Sequence, residues 1–341
     1  MAMDASEPVS LPAGSPGGAT SEIVGRSPGE ILWRRFRKDR WAIGGIIVIV
    51  IIMALAIAAP LFAKWVGHPV RESYVTQMTG VGPSFGAFGP SLGFPKGPTL
   101  HNEAGVFIFG ADGTAHDLFI QVLYGAQTSL EVALSATFIE VVLGVIFGVI
   151  AGFYGGKIDT LIMRACDIFF ALPVLLLILG ISAACGAQPP GQECLGGLLK
   201  PGKGLIIVLI GFFGWPYLAR IIRGQVLSLR EKEFVEAARS LGSSGRRIMV
   251  RDILPNVLAP IIVYSTLLIP TNILAEAGLS FLGLGVPPDV PSWGYQISQA
   301  TSLYRTAWWT MVFPGAFLFL TTLAFNLVGD GLRDAFDPKT S

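Results

Sequence analysis

Six stretches of this chain are too apolar and too long to be the interior of a water-soluble domain. The first runs from Trp41 to Ala63 without a charged residue. As a helix it extends about 34 Å, enough to cross the roughly 30 Å hydrocarbon layer of a bilayer. Five more follow near residues 128–152, 160–184, 204–222, 256–277 and 307–329. The fourth is short and interrupted by Gly211, Gly214 and Pro216, which membrane helices tolerate. Only 14% of the chain is charged, where soluble domains carry about 25%. That balance excludes a disordered chain and a soluble enzyme. The expected fold class is all-α: a polytopic membrane protein with six transmembrane helices.

A net charge of +1 hides a polarised distribution. With the N-terminus inside, 18 of the 24 Lys and Arg residues fall on the inner side. Outside remain Lys64, Arg71, Lys96, Lys200, Lys203 and Arg305. Positive charge is enriched on the cytoplasmic side of membrane proteins, so both termini are expected in the cytoplasm. The first span is longer than a secretory apolar region of 7–15 residues and is read as an uncleaved anchor.

The chain divides accordingly. Residues 1–30, rich in Ser, Gly, Pro and Ala, read as a disordered cytoplasmic tail. Residues 31–40 mix Leu32, Trp33 and Phe36 with five basic residues, as an amphipathic segment on the inner leaflet would. Residues 41–63 are the first span and 64–127 a long extracytoplasmic loop. Residues 128–329 form a five-helix core, and 330–341 a cytoplasmic tail. A second outer loop covers 185–203. A third, 278–306, starts with an apolar piece that suits a re-entrant or interfacial segment shielded by protein. The inner segment 223–255 differs from all of these. Phe234, Val235, Ala238 and Leu241 share a helical face, Gly242 suits a C-cap, and 245–252 reads as a second short helix ended by Pro255.

Residues 236–255 read EAARSLGSSGRRIMVRDILP. Glu236, Ala237 and Ala238, Gly242 four residues on, and Ile253, Leu254 and Pro255 at the end resemble the cytoplasmic EAA loop of ABC-importer membrane subunits. The residue types suit a docking surface. Two alanines admit close approach, Glu236 carries a charge near a helix start, Gly242 permits a sharp turn and Pro255 sets the entry to the next span. Further stretches narrow the resemblance to the C-type permease of the dipeptide/oligopeptide/nickel family. They are LWRRFRKDRWAIGG (32–45), LYGAQTSLEVAL (123–134), GVIAGFYGGKIDTLIMRACDIFFALP (148–173), EAGLSFLGLGVPP (276–288) with PSWG (291–294), and NLVGDGLRDAFDPK (326–339). Where that family commonly shows a Thr-Asp-x-x-Gly-Arg-Asp run, this chain has GADGTAHD (110–117), in which Asp112 and Asp117 correspond.

The resemblance implies a type I ABC importer permease fold with cytoplasmic coupling helices, in the inner cell membrane. It implies half of a translocation pore, with ATPase coupling through Glu236, Ala237, Ala238, Gly242, Leu254 and Pro255. The implied partners are a homologous B-type permease, two cytoplasmic ATPases and an extracytoplasmic solute-binding protein. Peptides are the expected cargo; nickel chelates or other small solutes are the alternative within the class. No cofactor is implied in this chain, since the ATPases bind ATP and Mg, and no nucleic acid partner. A secondary transporter or channel acting alone is the contrasting class, but its usual inverted repeats with paired broken helices are not evident.

Other residues weigh less. GFYGGK (152–157) lacks both the first Gly and the final Ser/Thr of a phosphate loop and lies between two spans, so the chain is not expected to be an enzyme. Glu131, Glu140 and Glu276 are carboxylates at or near membrane depth, where charges are functional candidates. Glu140, the deepest, suits a cavity lining or a contact with the partner permease, and Glu276 suits organising the outer segment. Asp167 and Arg164 are expected to pair along one helix. Cys185 and Cys194 share an outer loop in which a disulfide is expected, with two free thiols as the alternative. His68, His101 and His116 read as solvent-facing rather than as a metal site, and Tyr304, Trp308 and Trp309 as an interfacial aromatic belt.

Overall fold

The computed structural model describes residues 33–73, 95–100, 106–186 and 202–336. Among them the regular secondary structure is helical, with isolated antiparallel bridges between Thr99 and Phe107 and between Ala111 and Asp117. Five helices are long and apolar enough to cross a membrane, and a bent pair makes a sixth.

The first apolar stretch is two helices, α1 (Arg40–Ile57) and α2 (Ala59–Val66), meeting at Ala58. Pro60 lies in the first turn of α2. It has no N–H, and its ring clashes with the carbonyl four residues back, which breaks the helix there. That carbonyl, of Ala56, accepts a hydrogen bond from Gln127 Nε2 at 2.6 Å. Asp39 caps α1 by accepting from the Trp41 and Ala42 amides at 2.9 and 3.2 Å. Just before it, Phe36 is buried with Ala42 and Ala335, so the segment preceding α1 is docked on the last helix.

Helix α3 (Leu118–Tyr154) starts ten residues earlier than the apolar pattern predicts, inside the expected outer loop. The reason is a buried cap. Asp117 Oδ1 accepts from the amides of Phe119 and Ile120 at 2.9 and 3.4 Å, while its Oδ2 meets His68 Nδ1 at 2.7 Å. His68 is therefore buried rather than solvent-facing. His116 closes a turn whose centre is Asp112 Oδ1, and His101 lies outside the described residues. Asp117→Ala is expected to cost about 1 kcal/mol for the cap and about 1 kcal/mol for the hydrogen bond to His68. A fall in detergent melting temperature of roughly 3 °C follows. Asp117→Asn, which still caps, should lose only about half of that.

The next span is bent. Helices α4 (Gly156–Ala171) and α5 (Val174–Gly186) meet at 77° across Leu172 and Pro173, because Pro173 cannot continue the hydrogen-bond ladder. Helix α6 (Lys203–Leu229) is longer than its Gly and Pro content predicts, since Gly211 and Gly214 are packing sites and not breaks. It lies along α3 in close register: Gly144 faces Leu218, Gly148 faces the Ala219 carbonyl and Ile222, and Gly152 faces Val226. Small residues four apart let two backbones approach, which supports helix association in membranes.

After α6 comes α7 (Glu233–Ser240). A short α-turn (Gly245–Arg247), a π turn (Ile248–Ile253) and a 3-10 turn (Leu254–Val257) then lead without a stop into α8 (Leu258–Phe281). Pro255 thus sits in the first turn of the 3-10 segment and does not terminate a helix. Helix α9 (Trp293–Ala300), capped by Ser292, and α10 (Trp309–Phe336) complete the chain. Trp309 is tied in, not left at a lipid interface: its Nε1 donates to the Ala111 carbonyl at 3.1 Å. Tyr304 and Trp308 remain exposed.

Candidate functional site

Two regions hold the residues to which the sequence draws attention. The first is the segment between α6 and α8. Val235 of α7 is fully buried with Ile248, Ile253 and Val257, and Ala238 and Leu254 pack at the edge of the same cluster. Phe234 and Leu241, expected on that inward face, point away; Leu241 is 87% exposed. The helix is too short for an apolar face of three turns, so only the two residues one turn apart are held inward. Glu236, Ala237, Gly242 and Pro255 are exposed around it.

Gly242 adopts φ +77°, a conformation costly for residues with a Cβ. Its amide donates to the Arg239 carbonyl at 2.9 Å, and the Ser243 amide to that of Ala238 at 3.0 Å. These two bonds are the paired closure of a left-handed helix cap. Arg230 Nη1 donates to the Gly152 carbonyl at 3.2 Å, and the Arg239 guanidinium lies 5.6 Å from the Phe153 ring centroid. The loop is thus held against the end of α3 while Glu236, Ala237 and Leu241 stay free of contacts that would cover them.

The second region is a cavity of about 660 Å³ at membrane depth, bounded by α3, the α4–α5 bend, α6 and α8. Glu140 lines it, as do Phe169, Phe213, Tyr217, Tyr264 and Asn272. Phe170, Leu175 and Tyr217 on its rim are about half exposed, so one side is open. Glu140 itself is 2% exposed, and its carboxylate occupies room that exists because residue 214 is Gly; any Cβ there would overlap it. Asn272 Nδ2 donates to Glu140 Oε2 at 3.1 Å and to Thr137 Oγ1 at 2.9 Å.

The other carboxylates do not converge here. Glu131 forms an exposed pair with Lys203 at 2.7 Å. Asp167 pairs with Arg220 of α6 and not with Arg164 of its own helix, because the α4–α6 contact brings a guanidinium across to it. Asp159 is held by Arg223 through two bonds, the Nη2 one at 2.6 Å. Glu276 is fully buried at the opposite end of α8 from the loop. It accepts from Ser129 and Ser280, both at 2.7 Å, and the Trp293 amide donates to Ser129 Oγ at 3.4 Å. Trp293 Nε1 in turn reaches the Val122 carbonyl at 3.1 Å. This knot ties α3, α8 and α9 together. The piece expected to be re-entrant is the end of α8 followed by a capped turn at Gly283. Cys185 is buried at the end of α5; Cys194 lies outside the described residues, and with it the expected bridge.

Sequence reasoning missed Asn272, Tyr217 and Tyr264. Nothing in the neighbourhoods of Tyr217 and Tyr264 marks them; Asn272, a polar residue within an apolar run, carries the one available signal.

A family model described as the N-terminal TM domain of oligopeptide transport permease C matches residues 27–74. A second, described as binding-protein-dependent transport system inner membrane component, matches residues 144–341. The chain is 37% identical over 314 residues to the glutathione transport system permease protein GsiD of Escherichia coli O6:K15:H31 (strain 536 / UPEC), covering 92% of this chain and 91% of that one. The same values hold for GsiD of Shigella boydii serotype 4 (strain Sb227). Among solved structures, an inward-facing form of the MetNI methionine ABC transporter aligns with a TM-score of 0.52 at 18% identity, over 64% of this chain and 97% of that one. That likeness concerns the fold. Permeases of this family are multi-pass inner-membrane transport subunits that act with an ATPase and a binding protein. With its helical core, its open cavity and these two matches in their expected order, the chain belongs to the binding-protein-dependent transport system inner membrane components, as an ABC importer permease of the oligopeptide type.

Proposed function

We propose that this permease supplies one half of the translocation path of a peptide importer, paired with a homologous B-type permease. The observation that carries the reading is the cavity around Glu140, lined by α3, the α4–α5 bend, α6 and α8, with half-exposed Phe170, Leu175 and Tyr217 on its rim. The same two helices, α4 and α5, expose Leu161, Ile168 and Leu176, an apolar surface suited to a second membrane subunit as well as to lipid. The related permeases named for glutathione, a tripeptide, support a peptide cargo. The loop 223–255 receives the ATPase. Its exposed Glu236, Ala237 and Leu241 and its close attachment to α3 and α8 favour that role, because a push there reaches helices that line the cavity. Both termini lie in the cytoplasm, on the same side as this loop, in keeping with the inward excess of Lys and Arg.

Purification from the native membrane tests the assembly: a second permease and ATPase subunits are expected to co-elute. In proteoliposomes with its binding protein, the assembly should accumulate radiolabelled dialanine or glutathione only when ATP is supplied. Uptake by this chain alone, without ATP, would overturn the reading.

A further inference from the structure

Glu140 is a carboxylate without a countercharge among the described residues. Among the described residues Asn272 is its sole hydrogen-bond donor, and no Lys, Arg or His lies within ion-pair distance. The contrast with its neighbours is sharp. Asp159, Asp167 and Glu131 each have a basic partner, and the buried Glu276 accepts from serine hydroxyls, Ser129 and Ser280 among them. A buried carboxylate with a single amide donor is costly in its charged form, and is relieved by taking up a proton or by a cation that reaches it.

The room to be reached is present. The second carboxylate oxygen lies against Gly214, on the wall of a cavity of about 660 Å³, within the 300–1,000 Å³ typical of small-molecule sites. Around it stand aromatic rings: Tyr217 and Tyr264 are 6.5 Å apart edge to face, and Phe169 and Phe213 are 5.6 Å apart. Ring faces attract ammonium groups, and more strongly where water is excluded. An inorganic divalent cation is a poor fit: Ca2+ and Mg2+ take about six or more oxygens, Zn2+ and its like take several His, Cys or carboxylate ligands, and among the described residues no such group gathers here. One carboxylate in an aromatic wall suits an organic ammonium instead.

We propose that Glu140 recognises the primary ammonium group of a solute crossing the membrane, while Phe169, Phe213, Tyr217 and Tyr264 enclose its organic body. The proposal rests on the translocation reading above and adds to it the chemical class of the solute's leading group. Peptides with a free N-terminus belong to that class.

The test uses the purified complete transporter. Glu140→Gln keeps the size of the side chain and its acceptor for Asn272 while removing the charge; Glu140→Asp keeps the charge and withdraws it by one methylene. Phenethylammonium is the probe and phenethyl alcohol its neutral counterpart, with binding measured by calorimetry. In Glu140→Gln the affinity for phenethylammonium is expected to fall at least about tenfold, as for loss of a charge-assisted contact, while phenethyl alcohol binds as before. Glu140→Asp should fall between. Dialanine import should drop at least about tenfold in Glu140→Gln while ATPase activity persists.

Equal binding of phenethylammonium to the parent and to Glu140→Gln, or none to the parent, would overturn the proposal. So would equal weakening of both probes with a lowered melting temperature, which marks a structural role. If the parent imports dialanine and Glu140→Gln imports it equally well, this inference falls and the peptide-importer reading stands. If the parent imports no peptide but the calorimetric difference holds, the cargo reading falls instead.

Discussion

Leucine at Gly148 is expected to prevent the chain from accumulating as a folded membrane protein, whereas alanine at Gly224 on the facing helix is tolerated. A Cβ at 148 would lie 2.7 Å from the Ala219 carbonyl oxygen and 2.8 Å from Ile222 Cβ. Backbone and a β-branched side chain cannot both yield, so even Gly148→Ala should cost about 2 kcal/mol, within the range for overpacked cores. In detergent that is roughly 3 °C of melting temperature for a protein of this size, at about 2 cal/mol/K of unfolding entropy per residue. Leucine adds three more carbon atoms in the same place and forces α3 and α6 apart. At Gly224 a Cβ meets nothing within 4 Å, and alanine's better helix propensity contributes up to about 1 kcal/mol in favour of folding. Size-exclusion profiles and melting curves of Gly148→Ala, Gly148→Leu and Gly224→Ala decide the matter. Equal stability of Gly148→Leu and the parent would show that the α3–α6 seam is not the closely packed one described.

Glu236→Lys and Leu241→Asp form the second large prediction, and they rest on the proposed docking of an ATPase to the 223–255 loop. Both side chains are exposed, so neither change should alter the melting temperature of the permease by more than a degree or two. Dialanine import by the full transporter should nevertheless fall more than tenfold, while ATP hydrolysis continues without the usual response to the loaded binding protein. Gly242→Asp should behave similarly and also lose stability, because a Cβ at φ +77° strains the helix cap. Val235→Asp is the contrasting variant: it puts a charge into a fully buried cluster and should lower stability and import together. Normal import in both Glu236→Lys and Leu241→Asp would remove this loop from the coupling route.

Much of the architecture follows from local physics that a sequence carries openly. Apolar length sets the spans, because a bilayer admits backbone only in closed hydrogen-bonding forms. The cap at Gly242 was legible for the same kind of reason, since few residues besides Gly take its conformation. Boundaries were harder to read. Helix α3 begins at Leu118 because Asp117 is held by His68, a partner 49 positions away in the chain, and α1 stops at Ile57 although the apolar run continues to Ala63. Pairings between elements were not legible at all. Asp167 has Arg164 one turn away in its own helix, yet it meets Arg220, and the choice was made by the packing of α4 on α6.

The sequence alone determined the class of protein, the number and rough position of its spans and the exposed loop with its Glu-Ala-Ala motif, because each of these depends on residues near one another in the chain. Only the tertiary structure decided which carboxylates matter together. It placed Glu276 in a sealed knot of hydroxyls, gave Glu131 a lysine, and left Glu140 facing an aromatic cavity, in space opened by a glycine 74 residues further along. Burial and countercharge are properties of neighbours in space, and no spacing within a single helix encodes them.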